Sequence, residues 1–219
     1  RRDAGTPPFT VMSCDNLFQN GKIIRKVLIS FAEALDADLG KWIADNVAFP
    51  CTMVDRITPA TTPSDIAEVE AGLGVADGWP VVCEPFKQWV IEDHFTLGRP
   101  AWETAGAEIV DEVDPYEYMK LRLLNGSHSA LAYLGSLAGY ETISRCMEDP
   151  AYVNFMRKLM DEDVTPTLQM PEGVDVGAYK DSLVERFINP AIKHLTRQIA
   201  MDGSQKLPNR TLGPVRERL

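Results

Sequence analysis

The chain has 219 residues, 45% apolar and 25% charged, enough to bury the core of one ordinary globular domain or two small ones. Its 22 basic and 32 acidic side chains leave a net charge of -10, which excludes an electrostatic footprint for nucleic acid or anionic lipid. The apolar runs, such as 27–29 and 131–134, fall far short of the ~20 residues that a membrane helix needs, so no membrane is expected and the protein is read as soluble.

Residues 1–8 are charged and proline-rich with no apolar stretch behind them, so they read as a loop and not as a secretory signal. Residues 9–14 are β-branched and apolar and end at Asp15-Asn16, the pattern of a short buried strand leading to a polar tip. From Gly21, the residues Ile23, Ile24, Val27, Leu28, Phe31, Ala32 and Leu35 recur at helical spacing. A second helix is expected from Asp38 through Trp42 to Asn46, both helices covering a sheet. Residues 49–57 alternate loosely. The loop at 59–65 offers Ser64 or Asp65 as the N-cap of a helix over 66–73. Residues 81–83 and 89–91 read as two strands interrupted by Pro85.

From about Pro115 the periodicity becomes helical, with helices expected over 116–139, 141–147, 151–161, 175–187 and 189–201. The expected architecture is therefore an α/β portion over residues 1–112 followed by a mainly α-helical portion over 113–219, without internal repeats. Four cysteines at 14, 51, 83 and 146 form no Cys-x-x-Cys pair, which points to a reducing, cytoplasmic setting. With only His94, His128 and His194 beside them, no metal site has a local scaffold.

The glycines at 72, 74 and 78 invite comparison with a dinucleotide fingerprint, but Asp77 stands next to the last of them and the run follows a helix, not a strand. The informative stretch is 117–128, where Glu117, Lys120, Asn125 and His128 interrupt an apolar helix. At ~100° per residue, Lys120 at zero puts Glu117 at about 60°, His128 at about 80° and Asn125 at about 140°, so all four share one arc. A desolvated lysine amine can take the proton of an alcohol while an amide and an imidazole donate to the developing alkoxide. The competing reading is a solvated helix face. Asn125-Gly126 argues against it, because both are poor helix formers and a glycine allows another backbone or a ligand to come close.

Residues 47–59 (Val-Ala-Phe-Pro-Cys-Thr-Met-Val-Asp-Arg-Ile-Thr-Pro) and 119–128 (Met-Lys-Leu-Arg-Leu-Leu-Asn-Gly-Ser-His) resemble the signature and the catalytic helix of the mannitol dehydrogenase family of polyol-specific long-chain dehydrogenases. Residues 13–16, 84–93 and 202–204 resemble further blocks of that family. The resemblance implies zinc-independent hydride transfer between a sugar alcohol or sugar acid and NAD (or NADP), on the end of a Rossmann-type domain joined to a helical substrate domain. It implies Lys120 as general acid/base, Asn125 and Asn16 as oxyanion-stabilising amides, and His128 as holder of the reacting oxygen or its neighbour. Glu117 would conduct protons to solvent, and Asp55 would line the site near nicotinamide and substrate. A monomer is implied as well. The family's glycine-rich N-terminal βαβ region has no counterpart in these residues, so weak cofactor binding by this stretch alone is expected, with the helical domain incomplete at the C-terminus.

Residues 127–135 and 202–210 look closer to the family members that act on hexonates (mannonate/fructuronate) than to those that act on mannitol and fructose. A uronate carboxylate would pair with Lys206 or Arg210 through charge-assisted hydrogen bonds. Both cations can equally complement a helix dipole. A neutral polyol is the second substrate reading, and a non-catalytic helical interaction domain is the reading of another class.

Overall fold

Asn20 and Gly21 open the first helix, α1 (Asn20–Leu35), and both are buried. The computed structural model describes residues 1–171 and 173–219, which divide into two units: Arg1–Asp55 with Phe86–Glu117, and Arg56–Pro85 with Tyr118–Leu219.

In the first unit α1 packs on α2 (Ala37–Asn46). Asp36 joins them in extended backbone, and its carboxylate accepts from the amides of Asp38 at 2.9 Å and Leu39 at 3.3 Å, an N-cap for α2. The stripe Ile23, Val27, Phe31 and Leu35 is exposed, so along this face α1 does not cover a sheet as its periodicity predicts. Strands β1 (Thr52–Asp55), β2 (Gln88–Glu92) and β3 (Glu108–Val110) form one sheet in the order β1-β2-β3, the first pair antiparallel and the second parallel. Val90 and Ile91 are fully buried because β2 is the central strand, flanked on both edges.

Two expected strands are not strands. Residues 9–14 make one backbone hydrogen bond, from Val11 N to the Ala48 carbonyl at 3.0 Å, and Phe9 is exposed. β-Branched composition favours extended backbone, but a strand needs a partner edge, and none of the three strands pairs with it. Residues 81–83 lie between Pro80 and Pro85, which cannot donate to a ladder; the backbone bond here runs from Glu84 N to the Ile57 carbonyl at 3.1 Å.

In the second unit α3 (Pro63–Leu73) is capped by Thr62 and not by Ser64 or Asp65. The Thr62 hydroxyl accepts from Asp65 N at 3.3 Å while the Asp65 carboxylate accepts from Thr62 N at 2.7 Å, a reciprocal capping box with Pro63 at the first helical position. Gly74, at φ 71°, ends the helix, which accounts for the glycine run as a stop signal.

The stretch expected as one helix over 116–139 consists of α4 (Asp114–Met119), a π-helical segment (Lys120–Gly126) and α5 (Ser127–Leu137). The helices α6 (Ile143–Met147), α7 (Pro150–Lys158) and α8 (Val176–Ile188) match their periodicity, with a second π-helical segment at Leu159–Val164. The helix expected over 189–201 is only α9 (Thr196–Ile199). Pro190 explains the loss: it lacks an amide hydrogen and pushes Asn189 out of the helical region, to ψ 109°. The end of the chain folds as α10 (Gly203–Leu207), a π-helical segment (Pro208–Leu212) and α11 (Gly213–Arg218), which the sequence pattern did not mark.

The core of this unit gathers Met119, Leu123, Leu124 and Leu131 with Ile143, Met147, Met156, Met160, Leu183, Val184 and Phe187. Each such buried side chain contributes roughly 1.5–3 kcal/mol relative to exposure. Four methionines in one cluster suit the irregular geometry of helices interrupted by π-helical turns, because their unbranched chains fill uneven gaps.

Candidate active site

Lys120 opens the π-helical segment and Asn125 lies near its end. A π-helix takes one more residue per hydrogen-bonded turn than an α-helix, so the uniform 100° step does not hold between Lys120 and His128. The solvated-face reading fails on burial: Glu117, Lys120 and His128 are 6%, 7% and 9% exposed, and Asn125 is half-buried. Gly126 allows a tight approach, since a Cβ there would lie 3.0 Å from the Arg210 carbonyl oxygen. The close approach that an unhelical glycine permits is thus to a backbone.

Arg122 anchors the same segment from another side. Its guanidinium donates to both Glu217 carboxylate oxygens, at 2.7 and 2.6 Å, and to the Thr167 carbonyl at 2.7 Å, and it sits 4.9 Å from the centre of the Tyr118 ring. These bonds hold the Glu217 carboxyl below its ordinary range.

His128, at the start of α5, is stacked on Phe187 with centroids 5.1 Å apart and on His194 at 5.0 Å. His128 Nε2 and His194 Nδ1 are 3.3 Å apart. Burial pushes the His128 imidazole down to about 3, reinforced by His194 and by the cations Arg210, Arg186 and Lys206. His128 is therefore a neutral ring at physiological pH. Burial also lowers His194, with Glu84 acting in the opposite direction.

The structure thus brings three of the predicted residues into one electrostatic neighbourhood: His128, Lys206 and Arg210. Lys206 lies in the last turn of α10, its ammonium 3.4 Å from the Ile199 carbonyl and 3.9 Å from the Asp202 carboxylate. Arg210 donates to the Ser129 hydroxyl at 3.0 Å, and burial pulls its guanidinium below its ordinary value.

Sequence reasoning missed the supports of this cluster. Arg186 on α8 and Glu84 form a buried two-point ion pair, Nη2 to Oε1 at 2.7 Å and Nε to Oε2 at 3.0 Å. Glu84 Oε1 also accepts from Ile57 N at 2.6 Å, and its carbonyl accepts from Arg56 Nε at 2.8 Å. His194 was concealed by the expected helix over 189–201. A glutamate between Cys83 and Pro85 and an arginine on an amphipathic helix carry no local signal of pairing across 102 residues.

Asn16, Asp55 and Glu117 belong to the first unit. Asn16 is exposed, and its backbone N–H donates to the Asp15 carboxylate at 2.9 Å. Its loop is pinned by buried Asn20, another residue missed from sequence. The Asn20 amide donates to the Asp15 carbonyl at 2.9 Å and to the Thr52 carbonyl and hydroxyl at 3.0 Å, while its oxygen accepts from Thr52 N at 2.9 Å. Gly21 permits this, since a Cβ there would meet the carbonyl oxygens of Phe49 and Pro50 at 2.6 Å. Asp55 is buried at the end of β1, opposite Gln88. Both Glu117 oxygens accept from Gln19 N at 3.1 Å, so Glu117 is fixed on the turn that starts α1.

A dinucleotide needs a glycine-rich turn between a strand and a helix for its pyrophosphate. Among the described residues, β1 is followed by the Thr62-capped α3 and β3 by α4, whose first turn holds Asp114 and Glu117. These residues do not fit the pyrophosphate. Among them no cluster of three or more histidines, cysteines or carboxylates is arranged to hold a metal ion, and no helix is long and apolar enough to cross a membrane. An apolar cavity of about 400 Å³ opens beside Gly126, walled by Phe155, Leu159, Val164, Pro214 and Val215; neither Lys120, Asn125 nor His128 lines it.

The model of the mannitol dehydrogenase Rossmann domain matches residues 1–104, and that of the mannitol dehydrogenase C-terminal domain matches 112–219. The D-mannonate oxidoreductase of Escherichia coli K12 is 56% identical over 216 residues, covering 99% of this chain and 44% of its own length. A mannitol 2-dehydrogenase of Aspergillus terreus is 48% identical over 211 residues, 95% of this chain and 42% of its own. The solved Pseudomonas fluorescens mannitol 2-dehydrogenase, a ternary complex with NAD and D-mannitol, superposes with a TM-score of 0.87 at 51% identity over 99% of this chain and 44% of that one. A substrate-free D-sorbitol dehydrogenase superposes at 0.94 with 42% identity, over 99% and 45%. The chain spans less than half the length of these relatives.

Proposed function

Because this chain belongs to the mannitol dehydrogenase family, we propose that it carries the proton-transferring and substrate-holding residues of an NAD(P)-dependent oxidoreductase that interconverts a secondary alcohol and a ketone on a hexonate. Its α/β portion is part of a Rossmann-type domain and is followed by a mainly helical domain; a boundary at residue 112 is supported by the start of the second family match at that residue, after a gap over 105–111. Zinc independence comes with the family resemblance.

Lys120 takes the hydroxyl proton during oxidation and returns it during reduction, and Asn125 donates to the oxygen as its charge develops. Neutral His128 donates a hydrogen bond to that oxygen or its neighbour. NAD(P), when bound, supplies the hydride acceptor; none of these residues is assigned to its phosphates. Asn16, Asp55 and Glu117, on the first unit, keep the roles that the family resemblance implies for them.

The observation that carries the substrate class is the set of cations Lys206, Arg210 and Arg186 acting on one buried, uncharged imidazole. Arg186 is held by Glu84 in a buried two-point pair, whereas Lys206 meets the Asp202 carboxylate only at 3.9 Å and Arg210 donates to a hydroxyl, so Lys206 and Arg210 are the candidates for a substrate carboxylate. The mannitol complex of the solved relative supports a neutral polyol as the second reading. An interaction domain gains nothing from the burial of Lys120 and His128. We further propose a cytoplasmic monomer acting on a small molecule, a setting supported by the four unpaired cysteines.

The test is NADH oxidation by the full-length protein with fructuronate and fructose in parallel, in the wild type and in Lys206→Ala. Turnover of fructuronate that falls selectively in the variant is the expected result. Preference for fructose with an indifferent Lys206 returns the lysine to a structural role and makes the polyol reading the better one.

A further inference from the structure

His194 stands apart from the residues assigned above, yet its ring is the immediate neighbour of His128, with nitrogens 3.3 Å apart and ring planes inclined by 30°. Its backbone is held on both sides: His194 N donates to the Ile192 carbonyl at 2.9 Å, and the His194 carbonyl accepts from Ile143 N at 3.1 Å, next to the bridge between Thr142 and Leu195. The ring is thus presented from a fixed segment, which leaves the helix because of Pro190.

Two neutral imidazoles at this distance hold one proton between the facing nitrogens. Two lone pairs would repel, and two N–H groups would collide. Which ring keeps the proton follows from what His128 does with its other nitrogen: a His128 that donates to the substrate oxygen from Nδ1 offers only a lone pair at Nε2, so the shared proton sits on His194 Nδ1.

We propose that His194 is a positioning residue: its Nδ1–H donates to His128 Nε2, fixing the plane of the His128 ring and the tautomer that has an N–H on Nδ1 to offer the substrate oxygen. The second part rests on the oxygen-holding role proposed for His128. A catalytic imidazole needs such a partner, because the hydrogen bond made by one nitrogen sets what the other can do.

The experiment uses the full-length protein with ¹⁵N-labelled histidine and long-range ¹H–¹⁵N spectra, assigned with histidine variants. Wild-type His128 is expected as a single neutral tautomer with the proton on Nδ1. His194→Phe, which keeps an aromatic ring but has no N–H, is expected to lose that tautomer. It should lower kcat about 10- to 100-fold with KM changed less than about threefold. His194→Asn, whose side-chain Nδ2–H takes the place of the His Nδ1–H, is expected to restore the Nδ1 proton of His128 and most of the turnover. A wild-type His128 protonated on Nε2, or a tautomer indifferent to His194→Phe, overturns the proposal whatever the activity. The wild-type spectrum decides even where a variant fails to fold. Failure of the enzymatic reading has a separate signature: Lys120→Ala would then keep its turnover while the His128 tautomer still followed residue 194.

Discussion

The carbonyl oxygen of Arg210 lies 3.0 Å from where a Cβ on Gly126 would stand, so at this point two backbones touch. The contact joins the π-helical segment of Lys120 and Asn125 to the one that carries Arg210. The placement of three candidate residues therefore depends on one absent side chain.

Gly126→Ala tests this. Overpacking against a backbone atom costs about 1–3 kcal/mol, and alanine's helix preference returns about 1 kcal/mol. We expect a net loss of roughly 0–2 kcal/mol in urea unfolding, together with a fall in kcat, because the segment must shift. A variant with unchanged midpoint and unchanged turnover contradicts the constraint.

Lys120→Ala in the full-length protein is expected to reduce turnover by about 10²–10⁴-fold, with the far-UV circular dichroism retained. The chemistry needs the amine, whereas the surrounding helix is held by Leu123, Leu124 and the Arg122–Glu217 pair. Wild-type-like turnover at neutral pH would remove Lys120 from the reaction.

His128 predicts acid lability of a stated sign. The unfolded chain binds a proton at about 6.5, whereas the folded ring does not until about 3. Stability from this residue is therefore full above pH 6.5 and falls as the pH drops toward 3. Between pH 7 and pH 4.5 the loss should be roughly 2–3 kcal/mol. Urea titrations at both pH values, in the wild type and in His128→Leu, measure it. The variant should show a smaller difference, and equal differences count against the buried neutral ring.

Glu84→Gln removes the buried countercharge of Arg186 and weakens the acceptor for Ile57 N. A loss of about 3–5 kcal/mol is expected, the scale for breaking a buried pair from one side. The double replacement Glu84→Leu with Arg186→Met should be milder than the sum of the two single changes, since it removes both charges together. Additive losses in a double-mutant cycle would show that the two side chains are not coupled.

Much of the local structure was readable from pattern. The apolar spacing of 23–35 predicted α1, whereas the cap of α3 is Thr62 and not the expected Ser64 or Asp65. The reading of 9–14 and 81–83 as strands failed because composition reports a preference for extended backbone and says nothing of whether an edge is there to receive it. The helix expected at 189–201 shrinks to α9 because Pro190 overrides the apolar periodicity, and the π-helical turns are invisible in sequence because they keep helical composition while changing the angular step.

The site divides the same way. Residue types marked Lys120, Asn125 and His128 as an amine, an amide and an imidazole interrupting an apolar helix, the family resemblance supplied their roles, and the adjoining glycine announced a close approach. Partners could not be read from the chain. His194 beside His128, Glu84 against Arg186, and the Arg210 carbonyl over Gly126 are contacts between residues 66, 102 and 84 positions apart. Such pairings, and the burial that keeps His128 neutral, arise only when packing brings distant segments into a shared low-dielectric interior, where each charge acts on its neighbours far more strongly than in water.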